Sequence, residues 1–482
     1  MNAAIRRLAL ACALMLVALL GMGTYNQAVR AEALREDPRN ARVLIDEYER
    51  ERGPILVDGQ PIASSVATDD QLKYLRQYAD GPLWAPATGF YSFIYGATGI
   101  ERTENGILAG TDDRLFVNRV FNLLTGEEAR GGSVELTLDP ASQQAAAEGL
   151  AGKKGAVIAL DATTGAVLAM ASTPSYDPNV LSSHNGEEIR AAFQQLNDDP
   201  NKPLLNRSIA ETYPPGSTFK VVVAAAALSS GRYQPDTLVP GPAVLDLPET
   251  TATLPNDFSG SCGPNDQVSL TDALRISCNT AFASIGMDLG DEALKEQADK
   301  FGFDQAIQIP LNVATSVFPS DLNAPQTAQA AIGQFDVRAT ALQMAMVAAG
   351  VANNGSVMKP YLVEQARGPD LAVLSTAQPE ALSQAVTPQV AQQLQDMMKV
   401  VVDSGTGRNA QIDGVFVGGK TGTAQTGDDR PPLAWFISFA RDGDRTIATA
   451  TVIEDAGTGD NVSGGRVAAP ISRAVMEAAL GQ

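Results

Sequence analysis

Ser217 and Lys220 stand three positions apart in Ser217-Thr218-Phe219-Lys220, and on a helix that spacing puts a hydroxyl and an amine on one face. Tyr213-Pro214-Pro215-Gly216 precedes them and forces a turn, because proline fixes φ and glycine permits a sharp reversal. The run Val221 to Leu228 that follows is apolar all round and reads as a buried helix. Ser217 then lies at or just inside a helix start, where unpaired N–H groups and the dipole favour developing negative charge. A lysine rooted in such a helix is partly desolvated, which favours the neutral amine. A neutral amine beside a hydroxyl is a general base for a serine nucleophile. The competing structural reading is a serine helix cap with a surface lysine one turn later. The same pattern recurs at Ser356-Val357-Met358-Lys359, but Asn353-Asn354-Gly355 before it and Pro360 after it predict a loop with no helix to align the pair.

Histidine is the usual base for a serine nucleophile. This chain has one, His184, in the loop-like Leu181-Ser182-Ser183-His184-Asn185-Gly186, and no G-x-S-x-G elbow surrounds any serine. One histidine and scattered cysteines make no metal-ligand set. The base must then be a lysine or a carboxylate. Two further stretches complement Ser217. Ser277-Cys278-Asn279 lies in an apolar helical region, where Ser277 offers a proton-relaying hydroxyl and Asn279 an amide for a substrate carbonyl or the lysine. Lys420-Thr421-Gly422-Thr423 follows Gly418-Gly419, and glycines in a strand let a substrate backbone approach closely. Lys420 supplies positive charge for a carboxylate, and the Thr421 and Thr423 hydroxyls supply donors. The Thr423 and Ser217 N–H groups can together form an oxyanion hole.

The surrounding elements must position these groups. Val134 to Leu138 reads as a strand, and a helix is expected from Pro140 to Gly152. Gly155–Asp161 and Gly165–Met170 flank Ala162-Thr163-Thr164 and predict a hairpin in the middle of a sheet. Helical periodicity dominates from Ser217 to Ser404, broken by a polar insert over Gly241–Asp266. Strands return at Val415–Val417, Ala434–Phe439 and Thr446–Ile453, and a last helix is expected over Ala468–Leu480. Strands at both ends of a segment with helices between predict one antiparallel sheet closed by both termini. Ahead of it, Ala28–Glu51 reads as helical, and short extended pieces fall at Ile55–Val57 and Ile62–Val66. Nothing in 27–150 suggests chemistry, so this part is expected to be a pedestal with a modest core of its own.

A chain of 482 residues has room for two or more domains. A formal net charge of −20 argues against a nucleic-acid groove, which needs a basic face. Arg6 and Arg7 precede the uncharged run Leu8–Met22, which with its flank is just long enough to cross a bilayer. The arginines place the N-terminus on the cytoplasmic side and the rest outside. The competitor is a cleaved signal peptide ending near Ala31-Glu32-Ala33. Cys12 lies in the apolar run, leaving Cys262 and Cys278 as the outward-facing pair. An extracytoplasmic setting permits a disulfide between them, and its loop would contribute ~3 kcal/mol in a chain-entropy account. Two free thiols is the alternative, and a bridge pinning the insert beside Ser277 is the expectation.

In their order, S-x-x-K (Ser217–Lys220), S-x-N (Ser277–Asn279) and K-T-G (Lys420–Gly422) resemble the signature of penicillin-binding proteins and serine β-lactamases. Thr212–Gly216, Ser172-Thr173-Pro174-Ser175-Tyr176-Asp177-Pro178-Asn179, Ala331-Ile332-Gly333-Gln334 and Gly405-Thr406-Gly407 look like class B penicillin-binding proteins, in particular the actinobacterial penicillin-binding protein A type. Two departures stand out: Cys278 where many relatives carry Asp or another residue, and Leu433 before Ala434-Trp435 where many carry His. The resemblance implies an α+β penicilloyl-serine transferase fold, a five-stranded antiparallel sheet with helices on both faces, behind a pedestal and one transmembrane helix. It implies the divisions 1–26 (cytoplasmic tip and anchor), 27–150 (pedestal, dimerisation-like) and 151–482 (transpeptidase). The implied activity is D,D-transpeptidation of peptidoglycan stem peptides through a Ser217 acyl-enzyme that β-lactams also form. Ser217, Lys220, Ser277 and Asn279 would be catalytic, with Lys420, Thr421, Gly422 and Thr423 binding substrate. No cofactor is implied. A membrane glycan polymerase and the division or elongation machinery are the implied partners. A D,D-carboxypeptidase, a β-lactamase, or a silent β-lactam sensor or division scaffold would share the fold.

Overall fold

The computed structural model describes residues 3–30, 48–115, 130–425, 431–454 and 463–482, so most of the helix expected over 28–51 lies outside the described residues. The first helix, Ala3–Ala28, is apolar over the 24 residues Ile5–Ala28, reaching a mean hydropathy of 2.1 in its most apolar 18-residue window, none of which is buried against the other described residues. At 1.5 Å per residue it spans about 36 Å, long and apolar enough to cross a bilayer core.

Two sheets organise the rest. A six-stranded sheet runs in the order Val373–Thr376, Val363–Arg367, Ser133–Leu136, Ile55–Val57, Gln60–Ala67, Tyr74–Tyr78. Its two central strands, Ser133–Leu136 and Ile55–Val57, pair in parallel, and the other pairs are antiparallel. Val363–Arg367 and Val373–Thr376 come from the region read above as helical, and the strand Ser356–Met358 interrupts it as well. Those strands are short and only partly buried, so no apolar alternation announced them. In the pedestal, the fully buried Glu101 accepts from Arg52 Nε at 2.6 Å, Arg76 Nε at 2.7 Å and the Tyr78 hydroxyl at 3.0 Å. Burial pushes the Glu101 carboxyl up, but the Arg76 and Arg52 guanidiniums more than offset it and hold it below the ordinary value.

The second sheet has five antiparallel strands in the order Phe416–Ala424, Leu433–Asp442, Arg445–Ile453, Gly155–Asp161, Val167–Thr173. The hairpin of Gly155–Asp161 and Val167–Thr173 is there, but it forms one side of the sheet, with Val167–Thr173 as an edge. Its apolar run reflects burial on both faces. Along Gly155–Asp161, Ala156, Ile158 and Leu160 pack into the core shared with the helix Ala341–Ala352. Val157 and Ala159 point the other way, onto Ala146 of Pro140–Gly149 and Ile471 and Val475 of Ala469–Leu480. Period-two alternation thus buries both faces against helices. The opposite edge strand, Phe416–Ala424, carries Lys420, Thr421 and Thr423, and its outer side pairs with no other strand among the described residues.

Candidate active site

Ser217 sits in a 3₁₀ turn, Gly216–Phe219, that runs into the helix Lys220–Ser229. Every residue from Lys220 to Leu228 is buried, as an apolar run flanked by packed helices requires. Gly216 adopts φ +53°, and a Cβ there would lie 2.6 Å from the Thr423 carbonyl oxygen. Glycine therefore lets the serine turn touch the edge strand. Gly422 has a related role: an added Cβ would meet Thr218, Trp435 and the Pro215 carbonyl at 2.9 to 3.0 Å. Glycine here lets the serine turn pack against the edge strand.

The lysine side chain turns toward the second motif. Lys220 Nζ donates to Ser277 O at 2.8 Å, Asn279 Oδ1 at 2.6 Å and Ser277 Oγ at 3.3 Å. Burial pushes its amine down from 10.5 to about 7, although the Asp257 carboxylate draws it back up. Lys420 Nζ donates to the same Ser277 Oγ at 2.9 Å and to Thr421 O at 2.8 Å. It too is held well below its ordinary value, first by burial and then by the Lys220 charge, with Asp257 opposing. Two ammoniums on one hydroxyl repel, which favours a neutral amine at one of them. Ser277 bridges the two amines and can pass a proton between them. A substrate carboxylate beside Lys420 would favour its charged form, which reconciles the lowered value with an anion-binding role.

Ser277 and Asn279 do not lie within one helix. Leu270–Ile276 ends at Ser277, whose φ of +64° is left-handed, and Asn279–Leu289 begins after Cys278. A left-handed serine costs on the order of 1 kcal/mol and persists where surroundings over-determine it. Here they do. The Asn256 side-chain oxygen accepts from the N–H groups of Asn279 and Thr280, at 3.0 and 3.2 Å, and Asn279 Nδ2 donates to Asp257 at 3.2 Å. Asn256 and Asp257 come from the polar insert. Cys262, from the same insert, is disulfide-bonded to Cys278 with a Cα separation of 6.0 Å, and Cys278 Sγ also caps the Ala281 N–H at 3.3 Å.

A cleft of about 530 Å³ joins these groups, lined by Ser217, Asp257, Ser277, Thr406, Thr421 and Thr423 among others. Thr406 and Thr421 hydroxyls lie 2.7 Å apart on its wall. Behind the serine turn, Trp435 Nε1 donates to Pro214 O at 3.1 Å, and the Tyr213 hydroxyl donates to Glu454 at 2.7 Å. Glu454 also pairs with Arg207 at 2.7 Å and Lys154 at 2.9 Å. Sequence reasoning missed Asn256, Asp257, Tyr213 and Glu454 as positioning residues; only the buried Trp435 had a signal, an aromatic on a core strand. His184 lies elsewhere, its Nδ1 against Asp70. The decoy Ser356–Lys359 falls on a strand, with Lys359 paired to Glu380 at 2.6 Å.

Residues 155–477 match the penicillin-binding protein transpeptidase domain, and residues 52–134 match the penicillin-binding protein A dimerisation domain. The chain is 47% identical to the peptidoglycan D,D-transpeptidase PbpA of Mycolicibacterium smegmatis, covering 100% of this chain and 99% of that protein. It is 45% identical to PbpA of Mycobacterium tuberculosis over the same shares. The ceftriaxone acyl-enzyme complex of Mycobacterium tuberculosis penicillin-binding protein A superposes with a TM-score of 0.87 at 44% identity, covering 90% of this chain and 100% of that one. A buried serine–lysine pair, a left-handed serine bridging two lysines and an edge strand bearing K-T-G are thus set in a frame shared along the whole chain, which belongs to the class B penicillin-binding proteins.

Proposed function

We propose that this chain is a peptidoglycan D,D-transpeptidase that cross-links stem peptides through a Ser217 acyl-enzyme and is acylated by β-lactams. The observation that carries the reading is the fully buried Lys220 amine, pushed down to about 7 and hydrogen-bonded to Ser277 and Asn279 one helical turn from Ser217. Relatives that match the whole chain carry this activity in their names, and a solved relative is an acyl-enzyme with a β-lactam.

In this reading the Ser217 hydroxyl attacks the carbonyl between two terminal D-alanines and gives its proton to Lys220. The Ser217 and Thr423 N–H groups hold the oxyanion. Collapse breaks the amide, Ser277 relays the proton to the departing D-alanine amine, and Ser217 is left as an ester. Lys420 and Thr421 hold the terminal carboxylate, and Asn279 holds the substrate backbone or the lysine. A neighbouring stem-peptide amine then attacks the ester, loses its proton to the base and frees Ser217. Residues 1–26 serve as cytoplasmic tip and anchor, 27–150 as pedestal and 151–482 as the transpeptidase unit, which faces outward. A membrane glycan polymerase and the division or elongation machinery are the partners this arrangement calls for. Intact-mass spectrometry after benzylpenicillin, followed by incubation of a D-Ala-D-Ala peptide with an amine acceptor, tests the reading. An adduct that maps to Ser217 and amine transfer exceeding hydrolysis support it; hydrolysis alone would mean a carboxypeptidase, and no adduct would refute it.

A further inference from the structure

The cleft that holds Ser217 is electrostatically one-sided. The amines of Lys220 and Lys420 both meet Ser277, which lines it, and Arg408 and Arg466 lie on its wall. Among the described residues that line it, Asp257 is the only carboxylate. Asp257 is exposed and has capacity to spare: one oxygen accepts from Asn279 Nδ2 at 3.2 Å, and the carboxylate makes no ion pair among the described residues. Its charge is nonetheless felt at both Lys220 and Lys420, whose amines it draws up against burial.

The next residue, Phe258, also lines the cleft and is 37% exposed, the one apolar side chain between Asn256 and Ser261. A carboxylate beside an exposed aromatic ring suits an ammonium, by charge and by the ring's quadrupole. The pair is also held in place. Asn256 accepts from the Asn279 and Thr280 N–H groups, and Cys262 of the same insert is bonded to Cys278. The transpeptidase reading calls for such a pair. Once D-alanine has left, an incoming amine competes with water for the Ser217 ester. Near neutral pH an alkylamine is an ammonium, which the lysines, when charged, and the two arginines of this cleft repel.

We propose that Asp257 and Phe258 form the docking site for the acceptor, that they take a primary ammonium on an alkyl stem, and that they thereby favour amine transfer over hydrolysis. The proposal rests on the transpeptidase reading and assigns the residues that choose the acceptor. The docked ammonium gives one proton to the free Lys220 amine. Its nitrogen then attacks the ester carbonyl, the C–N bond forms and the bond from carbonyl carbon to Ser217 Oγ breaks. Lys220 returns its proton to the departing Ser217 oxygen, and the second amine proton leaves through Asp257 to water. Ester and ammonium thus become amide, serine and one released proton.

The test uses the full chain, a D-Ala-D-Ala peptide donor and two acceptors at about pH 8, where a Lys220 amine at about 7 is mostly free. Nα-acetyl-lysine amide presents an ammonium on an alkyl stem, and hydroxylamine is uncharged. Each transfer product is measured against hydrolysis of the same acyl-enzyme, so a change in acylation rate cancels. Asp257→Asn keeps an oxygen for Asn279 and removes the charge. It should cut transfer to the lysine derivative, relative to hydroxylamine, by about fivefold, the upper end for an exposed charge pair. Asp257→Glu, which keeps the charge, should retain part of the preference, and Phe258→Leu should lower the same ratio by a smaller factor. An unchanged ratio in Asp257→Asn overturns the assignment. So does an equal loss for both acceptors, which would leave Asp257 acting only through Lys220 and Asn279. If the unmodified protein forms no benzylpenicillin adduct, or hydrolyses the donor with transfer to neither acceptor, the transpeptidase reading itself has failed, and the docking site falls with it.

Discussion

The acylation rate should break with pH at about 7, and the break should move down when Asp257 is neutralised. Lys220 can take the Ser217 proton only as the free amine. With burial pushing it to about 7, half of the amines are free at pH 7, and each pH unit lower costs about tenfold. A lysine left at 10.5 would be free in about three molecules per ten thousand, so burial raises the active fraction on the order of a thousandfold. The fold gives up stability for this. Between about 7 and 10.5 the unfolded chain binds a proton that the folded chain does not, so stability rises with pH across that window. Below it the cost is on the order of 5 kcal/mol, from 1.36 kcal/mol per pH unit. Asp257 draws the Lys220 amine up, so Asp257→Asn should lower the midpoint while an amide still meets Asn279. The assay is the second-order rate constant for acylation by a chromogenic cephalosporin from about pH 5 to 10, covering the free and charged lysine. A flat profile, a break above about pH 9 as for an ordinary lysine, or a midpoint raised by Asp257→Asn would refute the argument.

Ser217→Ala should abolish covalent β-lactam labelling while thermal unfolding stays within about 0.5 to 1 kcal/mol of the unmodified protein, since one hydroxyl is lost from a turn held by Gly216 and Trp435; a labelled variant sinks the nucleophile. Lys420→Ala should weaken donors with a terminal carboxylate by at least about tenfold more than a β-lactam or peptide analogue lacking it, and an equal loss for both would count against that role. Glu101→Gln should destabilise the protein by about 3 to 5 kcal/mol in chemical denaturation, because two buried guanidiniums lose their counter-charge. The Glu101 carboxyl lies below its ordinary 4.5, so its contribution is complete above that value and is lost as pH falls through the folded value; an unchanged acid limb in Glu101→Gln would contradict this. Reducing the Cys262–Cys278 bridge should lower stability by about 3 kcal/mol and slow acylation, because the insert carries Asn256 and Asp257 to the second motif; reduction without effect on either would refute the positioning role.

The parts of the site legible in the sequence are those whose geometry is local. Ser217 and Lys220 are one helical turn apart, and Lys420, Thr421 and Thr423 share a strand, so spacing alone sets their relation. The parts that were not legible depend on distant chain. Asn256 and Asp257 reach Asn279 only because the insert folds back. Glu454 meets Tyr213, 241 positions earlier, because the sheet ends where the serine turn begins. The Ser277 region reads as helical in sequence because apolar residues recur through Leu270–Met287, and the left-handed Ser277 divides it into two helices. Val363–Arg367 was hidden for a different reason: its burial alternates weakly and its partner, Ser133–Leu136, lies more than two hundred residues away.

That last pairing bears on what the proposed divisions at 26 and 150 mean physically. Val363–Arg367 and Val373–Thr376 belong by sequence to the transpeptidase unit but complete the sheet of the pedestal. Ile55, Val57, Val134 and Leu136 share one continuous hydrophobic cluster with Phe219, Phe282 and Trp435 around the nucleophile helix. A cut at 150 would leave the ladder groups of Val363–Arg367 without Ser133–Leu136 and would expose apolar surface on the catalytic side. The N-terminal apolar helix, by contrast, is not buried against any other described residues, and none of its residues belongs to that cluster. Pedestal and catalytic unit are therefore coupled through a shared sheet and a shared core, so a load or a partner acting on the pedestal has a packed route to the elements that hold Ser217. The coupling is tested by placing Pro at Ala366, a buried position on a strand paired on both sides, where it would remove a ladder N–H: a drop in benzylpenicillin acylation with Ser217 and Lys220 untouched supports the shared core, whereas destabilisation of the pedestal with full acylation would show two units that merely touch.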